Sequence, residues 1–220
     1  MTYSNFDIRH RIVSSVQYKK SWNVKTTSYV SLIYTAQSGS PFTYAITSSN
    51  NLTRNGQQVD IPFIPSSQEQ INLVNRTNAD GTVTTAAQQY QDLDNFIKSD
   101  SYLNSHRGQY AERNGARTPW NNLMDLRLMQ DFHFSVGQKV NTIQITFDVI
   151  NLSNLLNKDW GTVYYTPNTQ NSSVDIGLRV NRSATSTAAP TYTFIRPSAT
   201  YSIDQFSSRW QGQLGVRYIF

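Results

Sequence analysis

The sequence contains no cysteine, so disulfide staples and thiolate metal sites are both excluded. It also lacks any apolar run near the roughly 18 residues that a membrane-spanning helix needs. With a mean hydropathy of -0.51, a helical membrane protein is excluded as well. Membrane strands escape that test, because alternation hides half of their apolar residues from any averaging window. Charged residues are scarce at 15%, while aromatics reach 12% with 13 tyrosines, a balance that suits a β-rich surface protein better than a cytosolic enzyme. No GxSxG, P-loop, HExxH or dinucleotide fingerprint is present, so no catalysis and no cofactor are expected. His10, His106 and His133 lie far apart and in no metal-ligand spacing, and lumen or loop histidines with polar partners are the expectation. Asn78, Asp80 and Gly81 look like the start of a calcium loop. They have no suitably spaced glutamate downstream, so a polar turn is expected and no metal. The net charge of +5 is scattered and forms no stripe, which argues against a nucleic-acid partner.

What the sequence does have is a period of two. In Ser207–Phe220, reading SSRWQGQLGVRYIF, one face takes Trp210, Gly212, Leu214, Val216, Tyr218 and Phe220. The other takes Arg209, Gln211, Gln213, Gly215, Arg217 and Ile219. Alternation of this length means an extended strand with one apolar and one polar side. Four more stretches share the pattern, at about residues 7–20, 22–37, 122–135 and 141–152, the last strand covering 207–220. The first two and the next two are joined by short turns, and read as hairpins. Residues 38–121 and 153–206 break the alternation and read as long loops. Within the first, AAQQYQDLDNFIKSDSYL reads as a helix, with Tyr90, Leu93, Asp94, Phe96, Ile97 and Leu103 at three- and four-residue spacings. Within the second, TVYYTP and TYTFIRP are expected to pair as a hairpin.

Short turn, long loop, short turn, long loop is the order of an outer-membrane barrel, whose long loops gather on one rim. The expected fold is therefore all-β: a partial transmembrane antiparallel β-barrel of about five spanning strands. It would carry two long extracellular loops, the first holding a short helix. Five strands cannot close where the smallest bacterial barrels use about eight. The N-terminus, MTYSNFDIRHR, has neither the basic start nor the apolar core of a signal peptide. Both points lead to the expectation that the chain is a single C-terminal barrel segment, 1–220, of a longer protein.

Three stretches carry a family resemblance: HRGQYAERNGARTPWNNLMDLRLMQDF at 106–132, FDVINLSNLLNKDWG at 147–161, and the terminal SSRWQGQLGVRYIF. In these the chain resembles the C-terminal barrel portion of TonB-dependent outer-membrane receptors, in particular the Bacteroidetes-type, Oar-like and SusC-like branch. The resemblance implies a barrel of about 22 strands, an N-terminal plug, and uptake of a bulky solute (a siderophore, oligosaccharide or peptide). It also implies a TonB-type energy coupler, location in the bacterial outer membrane, and contact with outer-membrane lipid. The plug, its coupling segment and most of the strands have no counterpart in the sequence. Leu214, Val216, Tyr218 and Phe220 match the assembly signal read by the barrel-assembly machinery, and an exposed strand edge can be captured by strand addition. The plainer reading is that these four residues simply face lipid, and the two roles can hold together.

Arg107, Glu112, Arg113, Asn114 and Arg117 form the densest charged patch of the first loop. They are either a ligand-facing patch at the barrel mouth or a salt-bridged return of the loop onto the rim. Arg9, Arg127, Asp125, Asp148 and Arg217 fall on the polar face and are expected to form cross-strand ion pairs. Two other readings of the whole chain stay open. One is a soluble β-sandwich binding or adhesion module. Strands of ten or more residues count against it, since globular strands cluster near about five or six. The other is a barrel enzyme, which the placement of His, Ser and Asp does not support.

Overall fold

The structure is a computed structural model that describes residues 3–47, 52, 60–166, 172–181 and 188–220. It is mostly β, and none of its helices is long and apolar enough to cross a membrane. The chain divides into two compact units. One comprises Ile8–Gly39, Pro119–Tyr164 and Ile203–Phe220; the other comprises Met1–Asp7, Ser40–Thr118 and Tyr165–Ser202.

The first unit is built on five long strands: β1 (Arg11–Asn23), β2 (Thr26–Gln37), β3 (Asn121–Val136), β4 (Lys139–Ile150) and β5 (Gln211–Ile219). They pair in that order, every neighbour antiparallel. The sheet is open, with β1 and β5 each paired on one side only, and the strands do not close into a barrel. Two-residue turns join β1 to β2 and β3 to β4, the latter helped by Gly137 at φ +63°. At the opposite end Gln37 lies against Asn121 and Ile150 against Gln211, so both long connections leave from the same end.

The return into β5 is tied down by one residue. Asn151 adopts the left-handed conformation (φ 54°), is buried, and caps helix α3 (Leu152–Leu156) through its side chain. Its Nδ2 donates to the carbonyls of Gly161 at 2.8 Å and Ser208 at 3.0 Å, while its own N–H donates to Asp125 Oδ1 at 2.8 Å. A Cβ on Gly161, itself at φ +64°, would overlap the Asn151 amide, which explains the glycine. The stretch 147–161 is thus a junction that sets where β5 meets β4.

The second unit is made from both long connections together. Its centre is the buried strand Pro41–Ala45, flanked in parallel by Ser173–Asp175 and antiparallel by Ala116–Arg117. Around it Phe42, Tyr44, Ile46, Ile64, Leu93, Phe96, Ile97, Leu103, Ile176, Leu178 and Phe194 form a hydrophobic core. The stretch expected as one helix is two, α1 (Ala86–Ser99) and α2 (Ser101–Ser105). Asp100 breaks it: extended in backbone, it ends α1 and accepts from Leu103 N at 2.9 Å to start α2. Thr85 and Gln88 form a reciprocal capping box at the start of α1. The hairpin expected between TVYYTP and TYTFIRP does not form; Thr191–Phe194 pairs with Leu178–Asn181. Pro167, in the first of those runs, lies outside the described residues. Leu178 and Val180 bring buried apolar side chains opposite Phe194 and Tyr192, which Tyr164 and Tyr165 could not match by burial.

Tyr44, fully buried, donates its hydroxyl to Asp100 Oδ2 at 2.7 Å. Burial, and then the Asp100 carboxylate, push its ionisation well above the usual tyrosine range. The folded-state pKa is raised, so this stabilisation is complete below the unfolded pKa of about 10 and is lost as pH rises above it. Tyr44→Phe should cost about 2 kcal/mol near neutrality and flatten the alkaline loss of stability. Near-UV circular dichroism melts from neutral pH to beyond about pH 10 check both effects.

Candidate functional site

The largest organised feature is the pair of faces on the five-stranded sheet. Register places Tyr18, Val30, Leu128, Phe147 and Leu214 side by side across all five strands. The adjacent row on the same face is Val16, Leu32, Leu126, Val149 and Gly212. Successive residues of a strand point to opposite sides, so these rows form one continuous apolar surface. Most of it is open: Val16 is 65% exposed, Leu214 70% and Val216 72%. Burying such side chains is worth roughly 1.5–3 kcal/mol each, so leaving a row of them in water is costly.

Aromatic residues mark both ends of this face. Toward the short turns, Phe134 stacks on Tyr218 at 6.3 Å and Tyr218 on Phe220 at 5.6 Å. Trp22, at a bulge in β1, donates Nε1–H to Ser28 Oγ at 2.8 Å. Ser28 in turn donates to Gln130 Oε1 at 2.5 Å. Toward the long connections lie Tyr34, whose hydroxyl donates to Asn122 Oδ1 at 3.0 Å, and Trp120, stacked with His10 at 6.2 Å.

The opposite face is polar. Gln17, Ser31, Arg127, Asp148 and Gln213 form one row across the five strands. Arg127 holds Asp148 through two bonds, Nε to Oδ1 at 2.6 Å and Nη2 to Oδ2 at 2.9 Å, a fork geometry that fixes β3 against β4. Asp125 is used differently from the expected ion pair, accepting the backbone N–H of Asn151. Arg217 stands beside Gln144, which donates to the buried Asp131 at 2.9 Å. A concavity of 810 Å³ opens on this face, lined in part by Gln17, Lys19, Tyr29, Ser31, Arg127 and Asp148.

The residues of the charged patch are dispersed into separate contacts. Arg107 pairs with Asp94 at 2.7 Å and reaches the Pro65 carbonyl. Lys98, and then Arg107, hold the Asp94 carboxyl below the usual carboxylate range. Arg117 forms an ion pair with Asp7 and donates to the Asp7 carbonyl at 2.9 Å. Asn114, left-handed at φ 57° and buried, donates to the Tyr3 carbonyl and to Asn5 Oδ1, both at 2.7 Å, and its N–H donates to Thr43 Oγ1. Glu112 and Arg113 are exposed. Two members of the patch therefore stitch Tyr3–Asp7 to the insert. Periodicity gave no sign of this, because single buried polar residues leave no repeat.

Each histidine has a local contact. His10 stacks on Trp120, His106 Nδ1 lies 2.8 Å from the Tyr102 carbonyl, and His133 Nδ1 lies 2.8 Å from Thr142 Oγ1. Among the described residues no group of His, Cys, Asp and Glu is arranged to hold a metal ion. Asp80 accepts from Thr82 N and Oγ1, and with Gly81 at φ +82° it makes a tight turn between Arg76–Thr77 and Val83–Thr84. Leu214, Val216, Tyr218 and Phe220 are all exposed on the apolar face, three of them on the edge strand β5 and Phe220 just past its end. Comparison with protein-family models, with curated proteins and with solved structures finds no match.

Asn114→Ala removes three side-chain hydrogen bonds, those that Nδ2 donates to the Tyr3 carbonyl and Asn5 Oδ1 and the one that Oδ1 accepts from Thr43 Oγ1, and should cost the insert unit about 3 kcal/mol. Asn114→Gly, which relieves the left-handed backbone but makes no side-chain bonds, should recover only a small part of this. Limited proteolysis within Tyr3–Asp7, compared among the three proteins, checks it.

Proposed function

We propose that this chain forms part of the wall of a bacterial outer-membrane barrel of the TonB-dependent transporter kind, through which a bulky solute is taken up. The observation that carries the reading is the continuous apolar face, five strands wide, backed by a polar face and rimmed by aromatics. In hydrocarbon a sheet of this kind is stable as part of a closed barrel, where β1 and β5 find further strands to pair with and the outer side chains meet lipid. The polar face, with its forked Arg127–Asp148 pair and open concavity, then lines a wet interior that solute and plug share.

On this reading the insert unit, leaving from the end opposite the short turns, belongs to the extracellular side. Solute contacts fall there, and the chain carries no chemistry of its own. Energy coupling needs the plug and a TonB-type partner in the periplasm. The exposed alternation of Leu214, Val216, Tyr218 and Phe220 suits capture by the barrel-assembly machinery during insertion.

The two faces predict opposite responses to the same substitution. Leu128→Arg, in the middle row of the apolar face, should oppose folding into lipid vesicles by about 2–4 kcal/mol, the cost of an arginine at the membrane midplane. Met129→Arg, one residue along and on the polar face, should leave insertion unchanged. Protease protection of vesicle-bound protein reads the difference. Equal tolerance of both substitutions, with the chain a monodisperse monomer in detergent-free buffer, would overturn the reading in favour of a soluble module.

A further inference from the structure

The exposed charged side chains at the short-turn end of the sheet are cationic. Lys19 and Lys20 lie near the end of β1, Lys25 in the β1–β2 turn, Lys139 at the start of β4, and Arg217 on β5, all exposed. The only acidic side chain in the same rows is Asp131, which is buried and accepts from Gln144. Elsewhere on the sheet the signs are mixed, with Arg127 neutralised by Asp148.

Two of these lysines stand on the wrong face for solvent. Register puts Lys20 beside Ser28, Gln130, Ile145 and Val216, in a row of the apolar face. Lys139 pairs with Val136 on that face too, beyond Phe134 and Asn141. The Lys20 ammonium sits 5.8 Å over the Trp22 ring, whose indole N–H is held by Ser28. The apolar face therefore ends, at this side only, in ammonium groups interleaved with Trp22, Phe134, Tyr218 and Phe220. An aromatic sits well at a membrane–water interface, and a lysine beside it can lay its stem on apolar surface while its head reaches outward.

We infer that this end of the sheet is a docking surface for anionic phospholipid headgroups, with Lys20, Lys25 and Lys139 contacting lipid phosphates in the leaflet on the short-turn side. The inference rests on the proposed membrane reading and adds to it a lipid class and a leaflet. Charge complementarity selects the occupant: uncompensated cations at the border of an apolar surface match a phosphate at the border of hydrocarbon. Each such lysine is worth about 1 kcal/mol near an anionic surface, close to fivefold in partitioning. Attraction of this kind weakens with salt, as exposed charges are screened within a Debye length.

The test uses the full chain and vesicles of phosphatidylcholine, with and without a third of phosphatidylglycerol. Flotation should show stronger partitioning onto the anionic vesicles, and raised salt should erase the advantage. Combining Lys20→Gln, Lys25→Gln and Lys139→Gln should remove most of it, on the order of a hundredfold at low salt. A triple Lys→Arg variant should keep it. Neutralising Lys98, Lys158 and Arg113, none of which is at the short-turn end, should change little. Equal binding to both vesicle types, or an advantage lost equally with the control set, overturns the inference while leaving membrane insertion intact. Failure to associate with either vesicle overturns the membrane reading and the inference with it.

Discussion

Register is the constraint on which the sheet depends. Side chains alternate with a period of two, so a slip of one residue at any of its four strand pairings would turn an entire apolar set onto the polar side. The structure holds register by different means at each place. Two-residue turns fix β1 to β2 and β3 to β4. The Arg127–Asp148 fork reinforces the second of these pairs, and the Ser28–Gln130 contact ties β2 to β3. The last pair, β4 to β5, spans some sixty residues of chain and has no turn to set it. There Asn151 does the work, with Gly161 and Ser208 as its partners. Once these are in place, Leu128 and Phe147 have to share a row, and so do Arg127 and Asp148.

The sheet was legible in the sequence because a period of two is a signal repeated many times over. Lengthy alternation at 122–135 or 207–220 survives one or two exceptions, such as Met129 or Ile219 on the polar side. Edges were less clear: β1 begins at Arg11, and Tyr3–Asp7, before it, is held by Asn114 and Arg117. The insert unit was legible only in part. Helix α1 shows its spacing, but the break at Asp100 depends on a single side chain acting as a cap. The joining of 40–118 with 165–202 depends on contacts such as Gln89 with Phe194 N, between residues far apart in the chain. Nothing local announces them.

The same contrast explains the charged patch. Arg107, Asn114 and Arg117 are close in sequence, and closeness made a common ligand surface conceivable. In the fold each has its own buried or half-buried partner: Asp94 for Arg107, Asp7 for Arg117, Tyr3 and Asn5 for Asn114. A polar group taken out of water has to be paired, and these pairings consume most of what the patch could offer a solute. Of the five patch residues, Glu112 and Arg113 remain exposed.

The central claim is that one face of the sheet meets lipid and the other meets water, and the absence of cysteine makes it directly measurable. Single cysteines are placed in turn along β3 from Leu126 to Gln130, spin-labelled, and read for collision with oxygen and with a water-soluble nickel complex in vesicles. The account predicts alternation: labels at Leu126 and Leu128 favour oxygen, and labels at Arg127 and Met129 favour nickel. Uniform nickel accessibility along the strand, or uniform burial from both reagents, would contradict it.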